Sequence, residues 1–89
     1  MEKLEEIIER IKEMEKRFDI VQRAILENPN FVNEVPYIKE QLQILGQYYE
    51  NGQWLLDYEA DERGELPLNL KRGVLSQDGL YNLLMEYPF

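Results

Sequence analysis

Asp57, Glu59 and Asp61 stand at the spacing of the first three side-chain ligands of a calcium-binding loop, inside an acidic run that continues to Glu62 and Glu65. Hard cations take several carboxylate and carbonyl oxygens from such a loop. The likeness then fails. Counting from Asp57, the sixth place, where the turn needs a glycine, is Glu62, and the twelfth, where a bidentate glutamate closes the cage, is Leu68. A metal-binding protein stays as one alternative use of the run, and no metal ligand is assigned.

Paired carboxylates also do general acid–base work, as in glycoside hydrolysis. One of the pair must then be buried to raise its pKa, and a short chain of long helices offers no evident cleft for that. Ser76 has a nucleophile's hydroxyl but no base to activate it, because the 89 residues contain no histidine. A helix cap accounts for Ser76. Cysteine is absent too, which removes thiolate chemistry, disulfides and, with histidine, the commonest zinc ligands. The expected class is a non-enzyme with no cofactor and no catalytic residue.

The charge points the same way. The net charge is −8, and residues 57–65 hold five acids against the single base Arg63. A surface of that sign repels phosphate backbones, so no nucleic-acid partner is expected. Tyr48, Tyr49, Trp54, Tyr58, Tyr81 and Tyr87 have the ring chemistry of a base-stacking platform without its basic groove. They read as packing between the helices, with hydroxyls reaching the rim. The opening MEKLEEIIERIKEMEKR is too charged for a signal peptide, and no stretch approaches the ~18 apolar residues of a membrane span. The expectation is a cytoplasmic protein with no membrane partner.

The elements that must hold these residues are helices. Leu4, Ile7, Ile11, Met14, Phe18, Val21 and Ile25 alternate steps of three and four, which predicts an amphipathic helix over about 2–27. Glu6–Arg10, Glu13–Arg17 and Asp19–Arg23 would pair along its outside. Asn28-Pro29-Asn30 ends it, since proline disfavours helical geometry in the residue before it. Val35, Ile38, Leu42, Leu45 and Tyr49 predict a second helix over about 34–51, with Asn33 as N-cap, Pro36 in the first turn and Gly52 as a left-handed stop. Two such seams joined by a short loop fold back as an antiparallel hairpin.

Segment 53–75 is expected to be irregular or short-helical. Trp54, Leu55 and Tyr58 would share its inner face and the acids its outer one. A tight turn would end at Gly64, and Leu66, Pro67, Leu68 and Leu70 would form an apolar strap. A last helix over about 76–87 would start at Ser76 with Asp78 in its first turn, turn Leu80, Leu83, Leu84 and Tyr87 inward, and close at Pro88.

The stretch YYENGQWLLDYEADERGELPLNLKRGVLSQDGLYNLL, residues 48–84, resembles the signature half of a small bacterial family, domain of unknown function 4298. The resemblance rests on Tyr48, Tyr49, Trp54, Asp57 through Glu62, Gly64, Leu66, Pro67, Leu70 through Ser76, Asp78 and Tyr81 through Leu84. It implies a small helical bacterial protein and transfers no catalytic residue.

The resulting expectation is one all-α domain over 1–89. An antiparallel two-helix hairpin is joined by a short C-terminal helix through an aromatic-rich segment, in the manner of a three-helix bundle. Its expected role is to bind an unknown protein partner through the acidic loop, using Asp57, Glu59, Asp61, Glu62 and Glu65 beside Lys71 and Arg72. Alternatives are an acidic mimic of nucleic acid that occupies a basic partner, and the metal-binding protein. Monomer and homodimer both stay open.

Overall fold

The two seams form two long helices, α1 (Leu4–Glu27) and α2 (Pro36–Glu50), in a computed structural model that describes residues 3–30, 32–76 and 78–87. They run antiparallel. Arg17 of α1 meets Gln41 of α2, and Arg10, nearer the start of α1, lies beside Tyr48, nearer the end of α2. Ile7, Ile11, Phe18 and Val21 are buried against Ile38, Leu42, Leu45 and Tyr48 in one continuous core. Met14 and Ile25 are half-buried, and Leu4, the first residue of the seam, is exposed.

Helix α1 ends at Glu27, with Asn28 closing onto the carbonyl of Ala24, where Pro29 forbids another turn. Helix α2 begins later than the sequence suggests. Pro36 takes its first position, Val35 is the cap residue, and Asn33 lies in a 3-10 turn over Val32–Glu34 rather than at the cap. The fixed φ of proline and its missing N–H suit that first position and set the start.

Segment 53–75 is more ordered than its composition suggests. Gln53–Glu62 is a ten-residue helix, α3; a 3-10 turn follows at Gly73–Leu75, and the last helix, α4, runs from Gly79 to Glu86. The fold is an all-helical bundle, with no strand among the described residues. Ser76 is not the cap of α4. It closes the 3-10 turn through its N–H to the carbonyl of Gly73 and is extended at φ −61°, ψ 141°, and Asp78 stands at the cap position without a side-chain bond. Leu80 and Leu83 are buried, and Leu84 and Tyr87 are half-buried. Residue 2, the expected start of the first helix, and Pro88 lie outside the described residues; α1 begins at Leu4, after an extended Lys3.

Candidate functional site

Two glycines set the direction of α3. Asn51 and Gly52, the latter at φ +90°, are the whole link from α2 to α3, and the Asn51 side chain accepts a bond from the Gln53 N–H. Gly64, at φ +73°, ends α3: its N–H reaches the carbonyl of Asp61, and that of Glu65 reaches the carbonyl of Ala60. This paired closure needs a left-handed residue, which glycine adopts without steric cost.

With its ends fixed, α3 turns Asp57 and Ala60 into the core. Asp57 is fully buried, the reverse of its expected place on the acidic surface. Its carboxylate accepts two parallel bonds from the Arg10 guanidinium, Nε to Oδ2 at 2.9 Å and Nη2 to Oδ1. The hydroxyl of Tyr48, itself only 1 % exposed, donates to Oδ2 at 2.6 Å. A buried carboxylate is tolerable only when paired and bonded in this way. Burial first, and then the bond to Asp57, pushes the Tyr48 hydroxyl pKa far above its ordinary value. Its hydroxyl therefore faces a carboxylate in the core and does not reach the rim.

One turn on, Asp61 pairs with Arg72. The same guanidinium donates to the carbonyls of Pro67 at 2.7 Å and Leu70 at 3.4 Å, which ties the 67–72 strap to the end of α3. In the strap, Leu66 is buried and Leu70 half-buried, whereas Leu68 is wholly exposed. The 3-10 turn beyond is held from both sides. Glu15 of α1 accepts from the Val74 N–H at 2.7 Å, and the Trp54 indole donates to the Val74 carbonyl at 2.9 Å. Trp54 stacks on Tyr58 and, with Tyr49, joins α3 to α2, while Tyr49 also meets Tyr81 of α4. The aromatics are the joint between the hairpin and the C-terminal half.

What remains outward on α3 is a mixed face. Leu55 and Leu56 are 52 % and 53 % exposed, where Leu55 was expected to point in. Glu59, Glu62 and Arg63 share that face, and Glu65 follows just beyond it. Arg63 pairs with Glu65 at 3.1 Å and with Glu59 at 4.0 Å, and its bond holds the Glu65 carboxyl below the usual carboxylate range. The Glu62 carboxylate beside the Tyr58 hydroxyl raises that hydroxyl's pKa.

The seven residues proposed as one binding surface thus divide. Asp57 is core. Asp61 and Arg72 form a half-buried clamp. Glu59, Glu62 and Glu65 are exposed, and Lys71, also exposed, makes no ion pair with a described residue. The calcium-like spacing also dissolves. On a helix, alternate residues face apart, and Asp57 and Asp61 are held by separate arginines. Among the described residues no group of three or more metal-ligating side chains is gathered. Nor is any described helix long and apolar enough to cross a membrane.

Sequence reasoning missed the Arg10–Asp57–Tyr48 cluster and the outward leucines. The signal for the cluster was in the spacing: Asp57 stands three residues from both Trp54 and Ala60, on the stripe that packs inward. Arg10 stands between Ile7, Ile11 and Met14, on the edge of the first seam.

The domain of unknown function 4298 matches residues 11–88, which takes in most of α1 and everything described beyond it. No curated protein and no solved structure gives a significant match.

Proposed function

This chain belongs to the family described as domain of unknown function 4298, and we propose for it a binding role rather than a catalytic one, with the outer face of α3 as the surface that meets a protein partner. Leu55 and Leu56 supply apolar area at its centre. Glu59 and Glu62 flank them and favour a partner of basic charge. The observation that carries the reading is the half-exposure of two adjacent leucines on a helix whose other side is already packed. Apolar anchors within a charged rim are the usual anatomy of a protein interface. The acidic loop of the sequence reading is thereby narrowed to its outward members.

The test is capture from a lysate of the source organism by wild type, by Leu55→Ser/Leu56→Ser and by Glu59→Gln/Glu62→Gln, with melting curves to confirm that all three are folded. The expected result is a protein retained by wild type, weakened by raised salt, and lost from both variants. Identical recovery by all three, or loss only in a variant that is unfolded, contradicts the reading.

A further inference from the structure

The arginines and lysines of this chain have different fates. Four of the five arginines, Arg10, Arg17, Arg63 and Arg72, are engaged in ion pairs, two of them between distant parts of the chain. Three of the five lysines, Lys12, Lys16 and Lys71, instead line one open pocket of about 450 Å³ between α1 and the 67–71 strap. Lys16 and Lys71 form no ion pair with a described residue, and Lys12 has only a loose, solvent-exposed contact with Glu9 at 3.7 Å. In a molecule of net charge −8, three ammonium groups against the two carboxylates of Glu15 and Asp19 leave the lining of this concavity with a small positive excess.

The opposing charges there are fewer. Glu15 also lines the pocket, but its carboxylate is bonded to the Val74 N–H, which leaves Asp19 as the acid not held by a described partner. The rest of the lining includes Ile8 and Leu70, so the pocket joins a cationic rim to apolar wall. A volume of this size falls in the range of small-molecule sites. Ammonium groups bind phosphate as point charges, without the planar fork that a carboxylate suits. The acidic remainder of the surface would repel a long polyanion, which favours an isolated phosphate over a nucleic-acid strand.

We propose that the pocket between α1 and the 67–71 strap binds a small phosphomonoester with an apolar organic part, the phosphate held by Lys12, Lys16 and Lys71 and the organic part against Ile8 and Leu70. This site shares no residue with the outer face of α3 and does not depend on that surface being an interface.

Phenyl phosphate is the probe, titrated into the full chain labelled with ¹⁵N. The expected result is saturable shifts in the amides of Lys12, Lys16, Leu70 and Lys71. Affinity falls at least about tenfold, the equivalent of about 1.4 kcal/mol, in Lys12→Gln/Lys16→Gln/Lys71→Gln. Inorganic phosphate binds more weakly because it lacks the apolar part, benzoate binds more weakly because it carries less charge, and Asp19→Asn tightens binding. The three lysines are exposed, so their amide spectrum reports directly that the variant is folded; each single Lys→Gln variant gives a smaller loss in the same direction. Absence of saturable shifts, shifts centred elsewhere, or undiminished affinity in the triple variant overturns the proposal.

Discussion

Two arginine–aspartate pairs leave the same helix one turn apart, and they do different work. Arg10–Asp57 is mostly buried, with side chains 12 % and 0 % exposed; it joins α1 directly to α3, and Tyr48 adds α2 as a third group on the same carboxylate. Arg72–Asp61 is wetter, at 28 % and 26 %, and holds a strap rather than a core. The chemistry of the partners is the same, so burial decides the consequence. A buried pair broken on one side leaves an uncompensated charge, at a cost of about 3–5 kcal/mol. A pair near solvent contributes about 0–1 kcal/mol by itself. The acidic run therefore combines one carboxylate that the core requires, one that fastens a loop, and others that face outward.

The largest effect should follow Asp57→Ala, which removes the buried carboxylate to which Arg10 and Tyr48 both donate. Its expected cost is about 3–5 kcal/mol in urea denaturation. For a chain of this size that is a large share of the stability, and far-UV circular dichroism should show a lower melting temperature for the helices. A cost under about 1 kcal/mol would mean that Asp57 is hydrated in solution and that the two pairs are alike.

Tyr48 gives the next effect and a pH signature. Its pKa is raised in the folded state, so the unfolded chain ionises first. Its contribution is complete below the unfolded tyrosine pKa of about 10 and is lost as pH rises from there toward the folded value, with a slope of about 1.4 kcal/mol per pH unit. Tyr48→Phe should cost about 1–3 kcal/mol at neutral pH and flatten this alkaline loss, measured by denaturation between pH 8 and 11. An unchanged alkaline slope would assign it to another group.

Asp61→Asn should cost about 1 kcal/mol and loosen the strap. Amide exchange should quicken around Leu70 and Arg72 while the α1–α2 core stays protected. Equal deprotection of the core would mean that this pair also holds the bundle. The smallest effect is reserved for Glu59→Gln/Glu62→Gln, expected within about 0.5 kcal/mol of wild type because both carboxylates face solvent. A larger change would move these acids out of the binding surface and into the fold.

How far the sequence discloses this division depends on which force sets each element. Periodicity is a local signal, and it placed α1 and α2 because Ile7, Ile11, Phe18, Ile38, Leu42 and Leu45 repeat at the helical step. Gly52 and Gly64 were legible for a related reason, since each marks a left-handed position at a helix end. Asp57 was not legible from polarity alone. Carboxylates are seldom buried without a partner, and its partner lies 47 residues away. Leu55 was misread for the opposite reason: hydrophobicity suggested the core, whereas Trp54, Asp57 and Ala60 already fill the inward stripe of α3. The start of α4 was misplaced because the Gly73–Leu75 turn consumes Ser76 before the helix begins.

The most direct measurement is a double-mutant cycle between Arg10→Met and Asp57→Asn, read by urea denaturation, with trimethylamine N-oxide added to keep the single variants folded. If Asp57 is the carboxylate the core requires, the double variant is less damaged than the sum of the two singles, with a coupling of about 2 kcal/mol or more. Losses that add to within about 0.5 kcal/mol would contradict the account and return Asp57 to the acidic surface.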